Sequence, residues 1–186
     1  MRVPTPDHVI LGLLAAQPQH GYELVAHFQS PALLGRVWTM STSQVYAVLK
    51  RLEKQGAIVG TEVETPDAPT RTEYTISKAG RAQLDRWLAD PHPSASVRRI
   101  RVEFISKLHV ARLLGLPLGP IVEPQRRACE RQLERLRAEA GQTASPTERL
   151  SLEFAVGQLR AALDWLDRCA EMMADDRDSL DQPKVG

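Results

Sequence analysis

The chain has 186 residues, 42% hydrophobic and 25% charged, with a formal net charge of +1. That length suits one domain or two small ones and is enough to bury a real core. No apolar run of about 18 residues occurs, so a membrane span is not expected.

Near-neutrality removes any bulk electrostatic signature. Residues 1–95 hold nine Lys and Arg against nine Asp and Glu. A cationic footprint must therefore come from placement. The opening "MRVPTPDHVILGLLAAQPQHG" contains an apolar run near the length of a secretion signal. Asp7 and His8 precede it, and the run belongs to an amphipathic pattern, so no signal peptide is read and a cytoplasmic protein is expected. Cys129 and Cys169 both sit in helical patterns, which fits buried thiols better than a disulfide framework.

In chain order, "PDHVILGLLAAQ" predicts a helix with Asp7 as N-cap and Ile10, Leu13 and Leu14 facing the core. "PQHG" breaks it. "YELVAHFQ" predicts a second short helix with Leu24, Val25 and Phe28 inward, followed by the connector "SPALLGRVWTM". "STSQVYAVLKRLEKQG" then predicts a third helix. Ser41 and Gln44 form a capping box at its start, and Gly56 stops it. Val45, Leu49 and Leu52 share its apolar stripe. Ser43, Tyr46, Ala47, Lys50 and Lys54 share the opposite face, with Arg51 on its flank.

The period then changes. "AIVGTEVE" and "RTEYTIS" read as the strands of a hairpin joined by "TPDAPT". Ser77 can cap a fourth helix, "KAGRAQLDRWLAD", with Leu84, Trp87 and Leu88 on one side. After the Pro/Ser-rich break "DPHPSAS" the rest is helical. Val97, Ile100, Phe104 and Leu108 mark one helix. Cys129, Leu133, Leu136 and Ala140 mark the next. The last begins at Ser145-Pro146 and runs to about Ala174. Its apolar seam, Leu152, Val156, Leu159, Leu163, Leu166, Ala170 and Met173, repeats with heptad spacing.

Three helices, a hairpin and a fourth helix make a winged helix-turn-helix. The expected fold is mainly α, with this head at 1–92, a helical dimerisation region at 93–176 and a disordered tail at 177–186. "ILGLLAAQPQHGYEL", "STSQVYAVLKRLEKQGAI" and "PTRTEYTISKAGRAQLDRWL" resemble, in order and spacing, the PadR family of bacterial transcriptional regulators. The resemblance covers roughly residues 8–90 closely and the remainder only in general plan.

A charged helix face is usually just a solvated one. Here the helical context and the resemblance imply contact with double-stranded DNA. An α-helix with small residues at its start fits the major groove. Thr42, Ser43 and Gln44 are expected near base edges, although the capping box competes for Gln44. Tyr46 suits a phosphate or a thymine methyl, and Lys50, Arg51 and Lys54 suit the phosphate backbone. Arg71 is expected on the wing. His20 and Tyr22 open the second helix, where backbone N–H groups suit a phosphate. Simple packing of Tyr22 is the equal alternative.

For the seam, family precedent implies dimerisation through Leu152, Val156, Leu159, Leu163, Leu166 and Met173, against intramolecular packing as the alternative. The resemblance further implies a small aromatic or lipophilic effector, for which Trp38, Trp87, Phe104 and Trp165 are candidates. The five histidines lack metal-ligand spacing, and no catalytic or phosphate-loop motif occurs. No enzyme, metal or cofactor is expected. The implied function is a homodimeric regulator, expected to repress from an inverted-repeat operator and to be released by the effector. A winged-helix scaffold that binds protein instead of DNA is the competing class. The surface potential around Lys50 and Arg71 separates the two.

Overall fold

The computed structural model describes residues 5–32, 34–65 and 68–180, with side chains for 6–32, 34–64 and 71–169. The elements are α1 (Thr5–Ala16), β1 (Gln19–His20), α2 (Gly21–Gln29), α3 (Thr42–Lys54), β2 (Ile58–Thr65), β3 (Ala68–Ile76), α4 (Lys78–Leu88), α5 (Val97–Arg99), α6 (Ile105–Leu113), α7 (Gly119–Gln142) and α8 (Pro146–Leu180). A 3-10 turn covers Leu34–Arg36, and a π-helical turn, Ile100–Phe104, joins α5 to α6.

Two compact units divide the chain. One comprises residues 1–90 with 101–117, the other 91–100 with 118–186. This differs from a single cut at 92/93. The reason is α6, which packs against α1, with Val110 at the position that a side chain on Gly12 would fill.

The first unit is built around α1. Val9, Ile10, Leu11, Leu13 and Leu14 are all buried, together with Leu24, Phe28, Leu49, Leu52 and Leu84. The sheet order is β1-β3-β2, antiparallel throughout. β1 replaces the expected plain break at "PQHG", pairing Gln19 with Tyr74 and His20 with Glu73. β3 begins at Ala68, so the loop between the strands is shorter than "TPDAPT". Gly56 adopts φ 67° just past α3, a conformation that glycine reaches without a Cβ clash. Ser77 caps α4 by accepting from the Gly80 N–H at 3.1 Å. A Cβ on Gly80 would lie 2.0 Å from the Ala57 carbonyl oxygen, so α4 sits directly on the backbone that follows α3.

In the second unit α7 and α8 form a hairpin. Arg126 Nε reaches Asp167 Oδ1 at 3.2 Å across it. Ser145 caps α8 by accepting from the Glu148 N–H at 3.4 Å. α8 runs to Leu180, so it continues past Ala174 and into the tail expected to be disordered; residues 181–186 lie outside the described residues.

Packing corrects the reading of the seam. Val156, Leu159 and Leu166 are buried within this single chain, Leu159 at 3% and Leu166 at 0% exposure, and Leu152 and Leu163 are half-buried. Their partner is α7, whose Cys129 and Leu133 are buried in the same hairpin. The alternative reading, intramolecular packing, therefore accounts for the seam. Ala170 and Met173 fall outside the described side chains. A second stripe, Leu150, Phe154 and Ala161, lies on the opposite face of α8 and is exposed, Leu150 at 67% and Phe154 at 69%.

Among the described residues, no helix is long and apolar enough to cross a membrane. None of their His, Cys, Asp and Glu side chains form a group of three able to hold a metal ion.

Candidate nucleic-acid interface

α3 buries Val45, Val48, Leu49 and Leu52. Its other face exposes Thr42, Ser43, Gln44, Tyr46, Ala47, Lys50 and Lys54. The capping box is formed: the Ser41 N–H donates to Gln44 Oε1 at 2.8 Å and the Gln44 N–H donates to Ser41 Oγ at 3.3 Å. The Gln44 carboxamide oxygen is therefore engaged in the cap, leaving its NH₂ for other partners. Thr42 and Ser43 stand clear at the helix start.

Glu53 links the helix to the wing. Its Oε1 accepts from the Gly60 N–H at 3.2 Å, tying α3 to β2. Burial, with Glu53 and Tyr46 beside it, pushes the Tyr74 hydroxyl above its usual range. Tyr46 also lies against the first residue of α2. A Cβ on Gly21 would meet its hydroxyl at 2.8 Å, so glycine there allows the ring to rest on backbone.

Arg51 departs most from expectation. Its Nε donates to Asp7 Oδ2 at 3.0 Å and its Nη2 to Asp7 Oδ1. The hydrogen bond to Asp7 pushes the guanidinium above its usual range. Asp7 itself is not an N-cap but lies inside the first turn of α1, buried. Sequence reasoning missed this partner because 44 residues separate the two, and an aspartate at a helix start reads as an N-cap.

At the wing, Arg71, Tyr22 and His20 form a ladder. The Arg71 guanidinium lies 5.5 Å from the Tyr22 ring centroid, and Tyr22 stacks on His20 at 5.6 Å. His20 Nδ1 lies 3.2 Å from the Thr72 carbonyl oxygen, a bond that needs the proton on Nδ1. The His20 backbone N–H donates to Glu23 Oε2 at 2.7 Å, so it is taken by the cap and not open to a phosphate. The structure thus brings His20, Tyr22, Tyr46 and Arg71 to one surface beside the exposed face of α3.

Three of the four candidate effector residues, Trp38, Trp87 and Phe104, lie in the first unit and Trp165 in the second. Trp38 donates from Nε1 to Ser106 Oγ at 3.1 Å and meets Phe28 edge-on at 5.2 Å. Trp87 stacks on His8 at 4.9 Å, with Lys107 Nζ 5.6 Å from its ring centroid. Phe104 is buried, and Trp165 belongs to the other unit.

Residues 10–86 match the Transcriptional regulator PadR-like family. The segment from α1 to α4 is thus similar to PadR-like transcriptional regulators. The Probable transcriptional regulator Rv1176c of Mycobacterium tuberculosis is 28% identical over 187 residues, 91% of this chain and 98% of that protein. The Negative transcriptional regulator PadR of Bacillus subtilis is 30% identical over 108 residues, 55% of this chain and 54% of that one. The crystal structure of Bacillus subtilis PadR in complex with operator DNA is 23% identical, covering 90% of this chain and 98% of that one at a TM-score of 0.45. The PadR-like match spans the elements that form this surface, from α1 to α4. The sequence resemblance to this family rested on the same segments.

Proposed function

We propose that this chain is a PadR-like regulator, a homodimer that binds an inverted-repeat operator through α3 and the wing, and represses transcription until a small effector releases it. The observation that carries the reading is the exposed face of α3. It offers Thr42 and Ser43 to bases and Lys50 and Lys54 to phosphates, beside Arg71. Repression is the direction named for the Bacillus subtilis relative.

One short helix reads only a few base pairs, so selectivity calls for two copies. The dimer surface is the outer stripe of α8, Leu150, Phe154 and Ala161, since the inner seam faces α7. Two large apolar side chains at that exposure on one helix face are a natural partner site. The effector is a small aromatic or lipophilic molecule; Trp38, Trp87, Phe104 and Trp165 remain its candidate contacts.

Selection of bound fragments from random DNA tests the reading, repeated with a panel of aromatic and lipophilic compounds. Enriched fragments should share a dyad, and one compound class should lower their recovery. Absence of any enriched sequence would favour a protein-binding scaffold instead.

A further inference from the structure

Arg51 is gripped along one edge. A guanidinium has five N–H donors in a fixed fork. The bonds from Nε and Nη2 to Asp7 use two of them. Three remain: one on each terminal nitrogen, together the end-on edge suited to a phosphate, and a second on Nη1. The pair is asymmetric in exposure: the Asp7 side chain is 1% exposed and that of Arg51 40%. A buried carboxylate therefore holds a partly exposed arginine, on the helix whose face carries Lys50 and Lys54.

We propose that Asp7 is a positioning residue for DNA binding: from inside α1 it fixes the Arg51 guanidinium so that its unoccupied edge is preset for a phosphate oxygen. The proposal rests on the DNA-binding reading above. It differs from a simple brace between α1 and α3 in what it predicts. An arginine ordered before binding loses less side-chain freedom when it meets a phosphate. Phosphate contacts carry no sequence information, so the benefit applies to any duplex.

The test measures affinity against salt concentration for a fragment recovered by selection and for a scrambled duplex of equal length. The full-length chain is compared with Asp7→Asn, the double variant Asp7→Leu/Arg51→Met, and Lys50→Ala as a phosphate-contact reference. Replacing both partners leaves no unpaired buried charge behind, and melting curves check that each variant is folded. In the double variant the log–log salt slope should shrink by about 1.8, one phosphate per protomer. Asp7→Asn retains the arginine charge. Its slope should stay near the parent value while affinity falls about 5-fold or more per dimer, equally on both duplexes. A double variant with the parent slope and affinity would overturn the proposal. So would a loss in Asp7→Asn confined to the selected fragment, because that outcome belongs to a brace that orients α3. If the unmodified chain binds neither duplex, the DNA-binding reading itself fails, and the proposal fails with it.

Discussion

The Arg71 guanidinium lies 5.5 Å from the centre of the Tyr22 ring, so the wing and the start of α2 present one joined surface. The contact brings together residues 49 positions apart in the chain, and it is held from behind by the bond between His20 Nδ1 and the Thr72 carbonyl oxygen.

That geometry makes Tyr22 a platform for a cation. Tyr22→Ala should weaken DNA binding by about 0.5–1 kcal/mol per protomer, the usual size of an exposed cation–π contact. Tyr22→Phe retains the ring and should bind nearly as the parent. Combined with Arg71→Ala, Tyr22→Ala should add little further loss in a double-mutant cycle. Strict additivity would separate the two residues, and a loss with Tyr22→Phe would transfer the role to the hydroxyl.

The two stripes of α8 predict opposite outcomes for similar substitutions. Leu150→Asp with Phe154→Asp places charges on the exposed face and should give a folded monomer by light scattering. Leu159→Asp buries a charge among apolar side chains, at a cost of several kcal/mol, and should lose helical signal. A dimer that survives the first pair would move the interface elsewhere.

Much of the architecture was legible in the sequence. The capping residues Ser41, Ser77 and Ser145, the change of period into the wing, and the apolar faces of α3 and α4 all stand as local signals. Three features were not. A two-residue strand such as β1 exists only because β3 supplies its partner. The Arg51–Asp7 pair is a tertiary contact with no local trace. The helical period marks the Leu152–Leu166 stripe as apolar, but cannot say whether α7 or a second chain covers it. Burial of Val156, Leu159 and Leu166 against α7 within the single chain supplied that distinction.

Burial pushes His27 below its ordinary value against the opposing influence of Glu23, and burial with His27 nearby does the same to His109. His27 Nδ1 and His109 Nε2 are buried without a hydrogen-bond partner. Burial thus disfavours the charged form of both imidazoles in the fold. The unfolded chain binds protons first, near the ordinary value of 6.5, so stability is full above that pH. It declines as pH falls below 6.5 toward the lowered folded values. Melting temperatures between about pH 7 and pH 5 should fall less steeply in His27→Gln/His109→Gln than in the parent. Parallel curves would contradict this assignment.

Two glycines should respond in opposite directions. Gly80→Ala forces a methyl group against the Ala57 carbonyl and should destabilise by about 1–3 kcal/mol. A Cβ on Gly157, inside α8, meets nothing within 4 Å. Gly157→Ala should stabilise by about 0.5–1 kcal/mol. Chemical denaturation measures both, and equal effects would refute the packing of α4 on the α3–β2 turn.

The claim that the outer face of α3 is a DNA-binding surface is tested most directly by the salt dependence of binding to a fragment selected from random DNA. Each lysine of the pair Lys50 and Lys54 is assigned one phosphate in each protomer. For the proposed dimer, the log–log slope of Lys50→Ala/Lys54→Ala should therefore be smaller than that of the parent by about 3.6. An unchanged slope, with the fold intact, would remove α3 from the interface and contradict the account.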